Sequence, residues 1–263
     1  MKNKILIIIA IFLANTSFAQ DTLVNYKVPP IGTVWLKGKL YIDQFPVTNA
    51  DYAEFLYTSA DYYSPETRKE IETIKPYNLK YKKFFAKLYE IGPSENYIKL
   101  IEQDYFKALS WTNDSAKKFD YYDAEKYAYY PAINVSHQQA TEYCKWRADM
   151  MKLAYAMNTK NRKQREIFYT NFSFRLPSES EWKYAYEDFL MNQEPFTKSL
   201  FDNNIDFFNY VPGNISEMLL EKGKAIGLSW NDKIEPFEIL PIKSYTNPTD
   251  WLGFRCICEI TEE

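Results

Sequence analysis

The stretch Phe174-Arg175-Leu176-Pro177-Ser178-Glu179-Ser180-Glu181-Trp182 constrains the fold of this chain more than any other. Phe174 and Leu176 read as the end of a buried strand, Pro177 cannot donate to a ladder, and Ser178 with Glu181 three residues on makes a capping box. A strand must therefore turn sharply into a helix. The same signal occurs twice earlier. Thr48 with Asp51 precedes the apolar face Tyr52, Phe55 and Leu56, and Ser136 with Gln139 precedes the seam Ala140, Cys144, Ala148, Met151 and Tyr155. Arg175, held between two apolar neighbours, needs a fixed carboxylate or carbonyl partner inside the fold, which makes the corner structural.

The other elements read as short strands. Val34-Trp35-Leu36 and Leu40-Tyr41-Ile42 flank Lys37-Gly38-Lys39 as a β-hairpin with glycine in the turn. Residues 130–135 read as a further short strand, and the remainder as short strands and turns at 211–214, 225–230, 239–242 and 251–257. Three helices cut into short strands predict an irregular α+β domain rather than a regular layered sheet.

The first residues, Met1-Lys2-Asn3-Lys4, an apolar run over 5–13 and Ser17-Phe18-Ala19 before Gln20, read as a signal peptide over 1–19. No cysteine lies near the cut to carry a lipid. No later stretch approaches the length of an apolar span, so the chain is expected to be exported and not itself membrane-spanning. Residues 20–29 form a leader and 30–263 a single domain. That domain carries a Lys-, Glu- and Tyr-rich helical insertion at about 64–127, with stripes such as Tyr81, Phe84, Phe85 and Leu88. The 35 acidic and 32 basic side chains lack a basic block, which excludes nucleic acid as a partner. Aromatics make up 18% of the chain, with 23 tyrosines, and suit an interaction surface. The single histidine, His137, cannot build a catalytic zinc or a non-haem iron triad.

There are three cysteines: Cys144, Cys256 and Cys258. In an exported chain this predicts one disulfide and one thiol left over. Cys256 and Cys258 are not expected to pair with one another, so Cys144 bridges to one of them.

Five ordered blocks resemble the signature blocks of formylglycine-generating-enzyme (sulfatase-modifying factor) domains. They are Val47-Thr48-Asn49-Ala50-Asp51-Tyr52-Ala53-Glu54-Phe55; Asn134-Val135-Ser136-His137 with Tyr143-Cys144-Lys145-Trp146; the corner at 174–182; Gly213-Asn214-Ile215-Ser216-Glu217; and Gly253-Phe254-Arg255-Cys256. The resemblance implies an irregular C-type-lectin-like fold and a Cys144–Cys256 disulfide. It also implies a calcium site made from Asn209, Gly213, Ile215 and Glu217, with Tyr210 standing where the upstream ligand would be. Enzymes of this family hold copper with two cysteines, and here Asp232 and Phe237 stand at those positions after Gly227-Leu228-Ser229-Trp230. No copper and no catalytic residues are therefore expected, since a carboxylate and a phenyl ring cannot supply the thiolates that Cu(I) takes. A basic insertion of about 25 residues before Arg175 and the helical insertion resemble the non-catalytic gliding-motility and type IX secretion members from Bacteroidota.

The expectation is a non-catalytic binding or scaffold subunit of an envelope or outer-membrane protein complex, in the periplasm or at the cell surface. The first alternative is an enzyme, cysteine-oxidising or other, using the same groove through Asp232, Glu217 or the thiol of Cys258. The second is a calcium-dependent carbohydrate-binding protein, by analogy of fold alone. His137, lacking a partner base or acid in the sequence, reads as a packed or surface residue.

Overall fold

The computed structural model describes residues 27–62, 121, 125–158, 163, 166–191, 208–233 and 240–261. The signal peptide, residues 20–26 of the leader, most of the insertion at 64–127 and Phe237 lie outside the described residues. Among the described residues, three α-helices and eight short strands make an α+β fold: α1 (Asn49–Tyr62), α2 (His137–Asn158) and α3 (Glu179–Met191), with two four-stranded sheets. Among the described residues no helix is long and apolar enough to cross a membrane.

Each helix starts at its capping box. At α1, Thr48 N–H donates to Asp51 Oδ2 (3.0 Å) and Asp51 N–H returns to Thr48 Oγ1 (3.2 Å). At α2, Ser136 N–H meets Gln139 Oε1 (2.6 Å) and Gln139 N–H meets Ser136 Oγ (3.1 Å). At α3, Ser178 N–H meets Glu181 Oε2 (2.8 Å) and Glu181 N–H meets Ser178 Oγ (3.3 Å). Two orphan amides are satisfied at each start, a contribution of about 1 kcal/mol per cap.

The first sheet has the order β1-β2-β8-β3, all antiparallel, with β1 at Thr33–Lys37, β2 at Leu40–Asp43, β3 at Phe172–Arg175 and β8 at Ile257–Ile260. The expected hairpin is β1 and β2, with Gly38 at φ 53° in its turn. The second sheet has the order β6-β5-β4-β7, from Ile242–Ser244, Lys224–Ile226, Ser216–Met218 and Leu252–Gly253, and only β4 with β7 runs parallel. Alternation along β8 separates two cores. Cys258 faces the larger one, with Tyr52, Phe55, Tyr143 and Phe174 and the whole expected α2 seam. Ile257 faces the smaller, with Leu36, Ile42, Trp182 and Phe208. Cys256, two residues from Cys258, shares its face.

Several strand expectations need correction. Residues 130–135 form no strand; they are joined to Thr48 by an isolated bridge at Pro131, and Asn134 turns the chain at φ 59°. A proline without a donor and a left-handed residue three positions apart leave no room for a ladder. Of the stretches expected as short strands or turns, residues 211–214 are a turn, with Gly213 at φ 82° and Asn214 N–H on Val211 O (3.2 Å). The strand expected over 225–230 ends at Ile226, because Gly227 turns at φ 93°. Residues 251–257 divide between the two sheets, and Phe254-Arg255-Cys256 crosses from β7 to β8. A Cβ on Gly253 would lie 2.5 Å from Ile215 Cδ1 and 2.9 Å from Ala132 O, so only glycine fits where this crossing begins.

Candidate functional site

The crossing places Arg255 between the sheets, fully buried against Glu217 of β4. Arg255 Nε donates to Glu217 Oε2 (2.5 Å) and Nη2 to Oε1 (2.6 Å), a bidentate pair. Trp182 Nε1 adds a bond to Oε2 (2.7 Å). The guanidinium also donates to the carbonyls of Asp43 (3.0 Å), Gln44 (3.4 Å) and Asn209 (2.8 Å) and lies 3.9 Å from the centre of the Phe208 ring. All five donors of the guanidinium are used.

A second polar knot lies on the adjoining loop. Ser229 N–H and Oγ both donate to Asp232 Oδ2 (2.6 Å each), and Lys243 of β6 bonds the same oxygen. Lys243 Nζ also reaches Ser216 Oγ (2.9 Å) and Ser229 Oγ (3.4 Å). Partial burial pushes the Asp232 carboxyl up, but the bonds from Lys243 and Ser229 outweigh it and hold the group below the usual carboxylate value.

The Sγ atoms of Cys144 and Cys256 stand 3.5 Å apart as thiols, in the larger core. The structure thus brings together the pair that the sequence resemblance implied. Cys258 is fully buried, and burial pushes its thiol up, opposite to what a nucleophile needs. His137 Nε2 lies 3.2 Å from both Leu219 O and Leu220 O, tying the start of α2 to the turn after β4. It is a packed residue. Arg175 forms the expected strut: Nη1 and Nη2 bind Glu181 bidentately (2.8 Å each) and Nε reaches Glu259 of β8 (3.1 Å). Against the opposing effect of burial, the bonds from Arg175 and from the Ser178 N–H and hydroxyl draw the Glu181 carboxyl down to about 2.

Between α1, α2, the 43–48 loop and the 209–217 loop lies a cleft of about 610 Å³. Asp51 and Glu54 line it from α1, and Tyr143, Trp146 and Arg147 from α2, while Phe45 and Tyr129 expose 52% and 88% of their surface at its rim. Burial and the neighbouring Asp51 charge push the Glu54 carboxyl up to about 7.

One family model, described as a sulfatase-modifying factor enzyme 1-like domain, matches residues 10–188, which hold the first three of the five blocks. This chain belongs to that FGE-sulfatase family. No curated protein and no solved structure matches it.

The four residues implied as a calcium site do not fit calcium in this FGE-sulfatase fold. Both Glu217 oxygens are taken by Arg255 and Trp182, and the Asn209 carbonyl by Arg255 as well. Gly213 and Ile215 lie beside them on the β4 approach, but the guanidinium already supplies the positive charge that a cation would bring. The copper positions do not fit either. Asp232 offers a hard oxygen already bonded to an ammonium. Two features of the site escaped the sequence reading. Lys243, on a three-residue strand, gave no signal of its partner, whereas Glu54 could have been found three residues beyond the capping Asp51, on the same helix face.

Proposed function

We propose that this FGE-sulfatase domain protein is a non-catalytic binding or scaffold subunit of a bacterial envelope assembly, of the gliding-motility or type IX secretion kind. The observation that carries the reading is the Ser229–Asp232–Lys243 knot. At a position where related enzymes need a thiolate, this chain holds an internal ion pair that gives strength to a loop and leaves no free nucleophile. The buried Cys258 supports it from the other side, since a thiol without solvent access or a paired base cannot turn over a substrate.

Export through the signal peptide at 1–19 and residence in the periplasm or at the surface belong to the same reading. The exposed aromatics around the cleft supply the low-entropy contact area typical of interaction surfaces. Crosslinking in intact cells tests the proposal. Discrete adducts with one or a few envelope proteins, kept in an Asp232→Asn variant, are the expected result. A chain that yields no adduct would remove it.

A further inference from the structure

The Glu217–Arg255 pair and the Asp232–Lys243 knot are balanced in charge, and the cleft is not. Asp51 and Glu54 stand three residues apart on α1 and both line it, and among the described residues neither is paired with a lysine or arginine. Asp51 spends its Oδ2 on the α1 cap. Glu54 is pushed up to about 7 because burial and the Asp51 charge both disfavour its ionised form. On the same wall Asp43, 3% exposed, gives Oδ2 to Arg147 (2.6 Å) and to the Cys256 amide (2.8 Å), while its Oδ1 is buried without a partner. Two carboxyl groups lacking a cation, a buried unpaired acceptor and walls of Tyr143 and Trp146 are the chemistry that receives an ammonium or guanidinium group.

We propose that the cleft between α1 and α2 takes a lysine or arginine side chain of a partner protein, its charge against Asp51 and Glu54 and its stem against the aromatic walls. A volume of about 610 Å³ has room for such a side chain and its flanking residues. Phe45 and Tyr129 at the rim provide the contacts that exclude water around a buried charge pair. The identification of the source as a protein rests on the binding-subunit reading above; the cation chemistry does not.

The test titrates the full mature chain with a doubly capped Phe-Lys-Phe peptide and its Phe-norleucine-Phe counterpart by calorimetry. The lysine peptide is expected to bind at least ten-fold more tightly than the norleucine one. Glu54→Gln should lose that ten-fold preference while raising Tm, a split that a purely structural role would not produce. Tyr129→Ala, at an exposed position that does not threaten folding, should weaken binding several-fold, and Glu221→Gln on a distant turn should leave it unchanged. Equal affinity for the two peptides, or a Glu54→Gln variant that binds like the parent, would overturn the proposal. n-Butylammonium binding as tightly as the lysine peptide would overturn the assignment to a protein partner. Envelope crosslinking of the same variants separates the two readings: adducts without peptide binding remove the cleft alone, and peptide binding without adducts removes the envelope role alone.

Discussion

Glu217 and Arg255 meet through two parallel hydrogen bonds of 2.6 and 2.5 Å with neither side chain reached by solvent. Burying both charges costs several kcal/mol per ion before bonding, and this pair offsets that cost by filling every donor of the guanidinium. Removing one partner leaves the other charged, buried and unpaired. Glu217→Ala and Arg255→Met should each lower stability by about 3 to 5 kcal/mol, read from denaturant midpoints. The Glu217→Ala, Arg255→Met double variant should lose less than the sum of the two. Strict additivity would mean that the pair does not act as a unit.

Glu54 gives a pH signature. Its folded carboxyl is raised to about 7 from an ordinary value near 4.5, so the folded state holds its proton more tightly than the unfolded state does. The stabilising contribution is complete below about 4.5 and lost as pH rises through about 7. Asp51 on its own helix and Asp43, Tyr129, Tyr143, Arg147, Tyr210 and Glu217 around the cleft are the titratable and charged groups that share this region. Between those pH values the Tm of Glu54→Gln should therefore pull progressively ahead of the parent chain. A constant Tm difference across this range would show that Glu54 titrates normally.

Cys144 and Cys256, with sulfurs 3.5 Å apart and a sequence separation of 112, are placed to close a long loop on oxidation. Denatured protein from the oxidising compartment should expose one reactive thiol, Cys258, and three after reduction. Oxidation should contribute about 4 to 5 kcal/mol in the chain-entropy model. Three thiols without reductant would contradict the pairing.

Gly253 has backbone and side-chain atoms where a Cβ would stand, with Ala132 O at 2.9 Å. Gly253→Ala should destabilise by about 1 to 3 kcal/mol through overpacking where the chain crosses between the sheets. An unchanged denaturant midpoint would mean that the crossing can shift without cost.

The features legible in the sequence were those written within a few neighbouring residues. The three capping boxes, the hairpin around Gly38 and the seam from Ala140 to Tyr155 each rest on local spacing, and all of them stand in the structure. Residues 130–135 misled because a short apolar run is equally compatible with a strand and with buried irregular chain, and only Pro131 and Asn134 argued otherwise. The division of 251–257 follows from Arg255 reaching a carboxylate 38 residues away, which no local pattern records. Glu217 read as a calcium ligand because the family resemblance places one there; in the structure its carboxylate is bonded by Arg255. Asp232 likewise gained Lys243 only when β5 and β6 paired.

The central claim is that this chain acts by binding within an envelope assembly. The most direct measurement is the native mass of the tagged chain extracted from envelopes in mild detergent, compared with the chain purified alone. The account predicts a discrete, larger species that contains the chain in fixed stoichiometry with envelope proteins and persists in Asp232→Asn and Cys258→Ser variants. A monomer of the same mass in both preparations would contradict it.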